Sequence, residues 1–166
     1  AHLSGEGKHW APDHELLALA TSKPFYNHGR AHQKRLVLRW IEEALHSHED
    51  VLDPDLTVEH VMPQTLTPDW RAEIRRQMAA GETVSQLHDA LVHTIGNLTL
   101  AAANRNTPMS NKSFTEKKGM LKKHGTGIQM THEVTSKRHW GPEEIRARSH
   151  TMVKRIIANW PGPVAP

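Results

Sequence analysis

The chain has 166 residues, 37% of them apolar, and no cysteine. That length suits one ordinary domain with a modest core. The lack of thiols excludes disulfides and thiolate zinc sites, so any metal has to be held by histidine, carboxylate, amide or water. A formal net charge of +3, with the 14 histidines counted as neutral, favours an anionic partner, nucleic acid first.

No apolar run approaches the ~20 residues needed to span a membrane. The polar, glycine-rich stretch from Ala1 to Lys8 does not read as a signal peptide, and the absence of cysteine suits a cytoplasmic protein. The abrupt start and the Pro-Gly-Pro tail read as edges of a longer protein.

In chain order, Asp13 to Ala20 reads as a short helix and Phe25 to Arg30, with its Asn and Gly, as a turn. Ala31 to His46 is a clearer helix. Leu36, Val37, Trp40, Ile41, Ala44 and Leu45 recur at helical spacing and predict one apolar stripe turned to the core, and Arg39 and Glu43 stand four apart, able to pair. Asp50 to Asp55 is an acidic, proline-containing turn. Thr57 to Met62 is short and β-branched and reads as a strand ended by Pro63. Thr67-Pro68 opens a helix with Trp70, Ile74 and Met78 on one face and Gly81 as its stop. Thr83 to Gln86 is a capping box, followed by Leu87 and Leu91.

His93 to Leu100 returns to a strand-like pattern around Gly96, and Ala101 to Asn111 reads as loop. Ser113 to Glu116 is a second capping box. The helix it opens carries Lys117, Lys118, Lys122 and Lys123 and stops near Gly125. Gly141-Pro142-Glu143-Glu144 starts a last helix that runs to Trp160, with Ile145, Met152, Val153, Ile156 and Ile157 on its buried side. The sum is a mainly α fold with a small two-stranded β element.

The chemistry-bearing residues gather around those strands. Glu59 and His60 end the first, and Gly96-Asn97-Leu98 opens the second. A histidine can take a proton from water near neutral pH, and Glu59 and Asn106 are oxygen donors suited to a hard divalent cation. Neighbouring side chains of a regular strand point to opposite faces, so Glu59 and His60 share one site only if the strand twists or ends there. His88, Asp89 and His93 form a loose zinc-like cluster. His93 also reads as a residue supporting the loop before the second strand. The remaining histidines, His46 and His139 among them, read as surface residues.

The blocks T-V-E-H-V-M-P at 57–63, H-T-I-G-N-L-T-L at 93–100 and N-T-P-M-S-N-K-S-F-T-E-K-K at 106–118 resemble one family. It is the HNH (His-Me finger) nuclease domain at the C-terminus of GmrSD-type, modification-dependent restriction enzymes. R-L-V-L-R-W-I-E at 35–42, W-G-P-E-E-I-R-A-R at 140–148 and Trp160-Pro161 extend the resemblance over most of the chain.

The resemblance implies a single HNH nuclease domain over residues 1–166: helical support at 13–50, a ββα-metal core at about 56–123 and a C-terminal helical part at 131–161. It matches His60 to the general base, Asn97 to the residue that orients the loop between strands, and Glu59 and Asn106 to metal ligands. Asn111 and Lys117 match positions of phosphate or loop support, and Lys112 and Lys118 are further candidates for DNA contact. Arg146, Arg148, Lys154 and Arg155 are a second candidate basic patch. The cofactor implied is one Mg²⁺ or Mn²⁺ ion, in preference to zinc.

The setting implied is bacterial, cytoplasmic defence against foreign DNA, with an upstream NTPase or modification-sensing module of the same protein as partner. The rivals are a DNA-binding module with a dormant site that needs that module, an RNA-directed nuclease, and a scaffold in which the blocks are coincidence.

Overall fold

The structure, a computed structural model, describes residues 11–46, 55–102, 109–125 and 127–162. Helices α1 (Asp13–Ser22) and α2 (Ala31–Glu43) precede strand β1 (Leu56–His60). Helices α3 (Pro68–Arg75) and α4 (Val84–Leu91) separate it from β2 (Leu98–Ala102). Then come α5 (Phe114–His124), α6 (Gln129–Thr135) and α7 (Pro142–Asn159). The described residues are thus mainly helical around one two-stranded sheet, as the sequence pattern predicts. No helix among them is long and apolar enough to cross a membrane.

The strands pair antiparallel, from Leu56 opposite Ala102 to His60 opposite Leu98. The two-residue period of the strands divides their side chains between faces. Leu56, Val58, Leu98 and Leu100 pack with Leu38 and Ile41 of α2 and Met152 and Val153 of α7. Glu59 faces the other way, toward α5. A second apolar cluster lies beneath the segment that follows β1, where Val61 and Met62 meet Trp70, Ile74, Leu87, Leu91, Phe114, Trp140 and Ile145. The polar tips of its two tryptophans are satisfied: Trp70 Nε1 donates to the Lys112 carbonyl at 2.8 Å and Trp140 Nε1 to Asn97 Oδ1 at 3.1 Å.

Local chemistry sets most boundaries. Thr67 caps α3 ahead of Pro68, and Thr83 accepts from the Gln86 amide at the start of α4. Ser113 and Glu116 close a reciprocal capping box on α5. Several expectations need correction. The strand-like stretch from His93 is a short 3-10 turn at Ile95–Asn97, and the strand itself runs on to Ala102. Helix α3 stops at Arg75, short of Gly81, so Met78 falls outside it and is exposed. On α2, Leu36 and Trp40 lie on the open side, while Leu38, Ile41 and Glu42 are the buried residues. His46 is not a surface residue either: its ring is nearly buried, with Nε2 at 2.6 Å from Glu42 Oε1.

Glu42 explains the last two. Its carboxylate accepts the Gln129 amide at 2.5 Å and the Met130 amide at 2.8 Å, which satisfies the first turn of α6 and places a negative charge at that helix's positive end. Turning Glu42 inward turns Trp40 outward, where its ring lies 5.7 Å from that of Trp160.

Candidate active site

The centre of the site is the end of β1. Strand alternation turns the His60 ring to the α2 side, where it is 7% exposed. There it meets two other rings. His60 Nε2 lies 3.2 Å from His93 Nδ1, so that two neutral imidazoles share one N–H between them. Tyr26 packs edge-on against His60 at 4.4 Å and stacks on His93 at 5.7 Å. The Tyr26 amide also donates to the His93 carbonyl at 2.9 Å, which locks the turn before α2 onto the segment before β2.

Burial, reinforced by His93, Lys117, His88 and Lys34, pushes the pKa of His60 down to about 4. Burial, with His88 and Lys34, lowers that of His93 as well. His60 is therefore neutral at physiological pH and holds a lone pair that can accept a proton.

Glu59 points to the opposite side. Its Oε1 accepts from the Lys117 ammonium at 3.0 Å, and the same ammonium donates to the His60 carbonyl at 2.6 Å. Lys117 is 1% exposed. Burial pushes its pKa down while the Glu59 carboxylate holds it up. One buried cation of α5 thus fixes both the acid and the backbone of the histidine beside it. Lys117 offers no surface charge, although it stands in a run of lysines.

Asn97 uses its whole amide on the segment after β1. Oδ1 accepts from the Met62 amide at 2.8 Å and from Trp140 Nε1, and Nδ2 donates to the Met62 and Val92 carbonyls, each at 2.8 Å. The Asn97 carbonyl takes the Val61 amide at 2.9 Å. Two donors and two acceptors are all that an amide side chain has. His88 adds a tie from the other end, with Nε2 at 2.9 Å from the Pro63 carbonyl.

Gly96 is needed for a different reason. A Cβ there would stand 2.2 Å from the Ile145 carbonyl oxygen and 2.3 Å from Ser149 Oγ, so only glycine lets α7 approach. Arg148 of α7 then donates from Nη1 to the Gly96 and Leu98 carbonyls at 2.8 and 2.6 Å. It belongs to the frame of the site and not to a surface patch. Arg155 of the same set ion-pairs with Glu133.

The structure therefore brings together His60, His93, Glu59, Asn97 and Lys117. Asn106 lies outside the described residues. Asn111 is exposed just ahead of α5. Lys112 Nζ stands 3.5 Å from Glu116, and the Lys118 ammonium donates to the Lys137 carbonyl. His139 pairs with Glu73 at 3.1 Å.

Sequence reasoning missed Tyr26 and Lys34. Lys34 donates to the Tyr26 carbonyl at 2.5 Å and rests 4.4 Å above its ring. The only signal was a lone tyrosine in a turn, and only the fold carries that turn to His60.

No group of three or more histidine, cysteine, aspartate or glutamate side chains among the described residues stands ready to hold a metal, so His88, Asp89 and His93 do not come together as a zinc site. Glu59 by itself fits a hard cation. Its carboxylate is partly exposed, has lone pairs beyond the one given to Lys117, and is of the oxygen type that Mg²⁺ or Mn²⁺ takes.

The family described as GmrSD restriction endonucleases, C-terminal domain, matches residues 10–155. No curated protein matches the chain.

Proposed function

We infer, for a chain that belongs to the family of GmrSD restriction endonuclease C-terminal domains, that it is a metal-dependent DNA endonuclease domain of the HNH type with His60 as general base. The observation that carries this reading is the placement of His60. Its imidazole stands at the end of β1, held by a second imidazole at 3.2 Å and flanked in sequence by a carboxylate.

Hydrolysis of a phosphodiester needs a water deprotonated, charge on the phosphate offset and the leaving oxygen neutralised. His60 serves the first need. In the tautomer whose Nε2–H donates to His93 Nδ1, the lone pair of His60 sits on its own Nδ1, which takes the proton of the attacking water. The water oxygen forms the new bond to phosphorus as the bond to the 3′ oxygen breaks, leaving a 5′ phosphate.

His93 and Tyr26 hold the ring in place. Lys117 holds the His60 carbonyl and Glu59, and Asn97 with Trp140 and His88 fixes the segment that leaves the strand. Because β1 ends at His60, the two neighbours can serve one centre at the strand's end, where Glu59, directly or through water, and Asn106 would hold one Mg²⁺ or Mn²⁺ ion, which when bound would supply the positive charge the phosphate and the leaving oxygen need. The biological role that follows is cutting of foreign DNA in a bacterium, directed by a sensing module of the same protein.

Incubation of supercoiled plasmid, and of an RNA of matching sequence, with Mg²⁺, Mn²⁺ or EDTA tests the reading. Nicked plasmid with either metal and none in EDTA is expected. Cutting confined to RNA, or cutting unchanged by EDTA, contradicts it.

A further inference from the structure

Helix α2 and strand β1 border a groove of about 410 Å³, within the ~300–1,000 Å³ common for ligand sites. Tyr26, His32, Lys34, Arg35 and Thr57 line it, and no carboxylate does. Tyr26 is the wall that the groove shares with the base, since the same ring packs edge-on against His60. The groove therefore opens one ring's width from the proposed reacting centre.

The cations that sequence alone singles out are largely spent elsewhere. Lys117 is buried against Glu59, Lys112 faces Glu116, and Arg148 and Arg155 share Glu133. Lys34 has a carbonyl and an aromatic face as partners, both formally neutral, so they orient the ammonium without cancelling its charge. Lys118 is held in the same way by the Lys137 carbonyl and the Phe114 ring, but only Lys34 of the two lines the groove beside the base. Arg35, on the adjacent position of α2, is exposed.

We propose that this α2–β1 groove binds the DNA backbone beside the scissile phosphate. Lys34 and Arg35 would take phosphate oxygens, and Tyr26 would couple strand seating to the position of the His60 ring. The proposal rests on the nuclease reading and adds the path of the strand to it. Contacts of this kind give affinity and register without reading sequence.

The test is binding of a fluorescently labelled DNA duplex by the whole chain in EDTA, followed by anisotropy at several KCl concentrations. Arg35→Glu, Arg35→Gln and Arg71→Glu are compared with the native chain, Arg71 being an exposed cation of α3 outside the groove. Melting curves establish that each variant is folded.

Arg35→Glu is expected to weaken binding about tenfold or more and to reduce the slope of log affinity against log salt by about one, with Arg35→Gln intermediate. Arg71→Glu is expected to stay within about twofold. Binding by Arg35→Glu within twofold of the native chain, a loss matched by Arg71→Glu, or no binding by the native chain overturns the proposal. Plasmid cutting, measured separately with metal, keeps the two readings apart. A chain that cuts but is indifferent to Arg35 defeats the groove alone, and a chain that binds through the groove but never cuts defeats the nuclease alone.

Discussion

His60 Nε2 and His93 Nδ1 stand 3.2 Å apart, with Tyr26 packed against both rings. Because neither imidazole is charged at neutral pH, the hydrogen bond between them selects which nitrogen of His60 keeps its lone pair. His93 is in this sense a positioning residue. His93→Ala is expected to lower plasmid cutting about 10–100-fold, the equivalent of about 1–3 kcal/mol of lost orientation, with DNA affinity held within twofold. His93→Asn, whose amide can still reach His60, should recover part of the loss. Full activity in His93→Ala would show that the pair has no part in the reaction.

The same burial gives the fold a pH dependence. An unfolded His60 takes its proton near pH 6.5, whereas the folded one does so only near pH 4. As pH falls from about 6.5 to about 4, the unfolded chain gains a proton that the folded chain refuses, and stability falls. Above that window the contribution is fully present, at most about 3 kcal/mol. The lowered pKa of His93 acts in the same direction. Urea denaturation at pH 7 and pH 5 should show a loss for the native chain that is smaller in His60→Gln. An equal loss in both would mean that other groups set the acid sensitivity.

Asn97 makes four buried hydrogen bonds from one side chain. Asn97→Ala leaves the Met62 amide and Trp140 Nε1 without acceptors and the Met62 and Val92 carbonyls without that donor. A loss on the order of 3 kcal/mol in urea denaturation is expected, together with loss of cutting because the segment after β1 is no longer fixed. Stability within 1 kcal/mol of the native chain would mean that the segment is held by His88 and packing alone.

Gly96 tests the frame of the site from the other side. Gly96→Ala drives a methyl group into the Ile145 carbonyl and Ser149, so α7 has to move away and the Arg148 contacts to residues 96 and 98 weaken. A loss of about 1–3 kcal/mol is expected. An unchanged melting temperature would contradict the close approach of α7.

Much of this was legible in the sequence, and what was hidden has physical reasons. The alternation of Glu59 and His60 follows from the two-residue period of a strand, and the structure keeps them on opposite faces, joined through Lys117 and not through a shared orientation. The caps of α3, α4 and α5 could be read because each capping side chain stands within three residues of the amide it accepts. Helix α6 could not, since its first amides are capped by Glu42, 87 residues away in sequence from Gln129. That distant demand on Glu42 also decides which side of α2 is buried, so the apolar spacing of Leu36 and Trp40 pointed to the wrong face. Lys117 looked like its neighbours Lys118 and Lys122, because a run of like residues does not show which member the helix turns inward. Tyr26 came to the site through tertiary packing alone.

Relaxation of supercoiled plasmid by purified native chain and His60→Ala, with Mg²⁺ or Mn²⁺, bears most directly on His60 as the base. Both proteins should bind DNA and melt cooperatively. The substituted chain is expected to lose about 10²–10⁴-fold in nicking rate or more. Nicking by a folded His60→Ala chain at the native rate would contradict the assignment of the base.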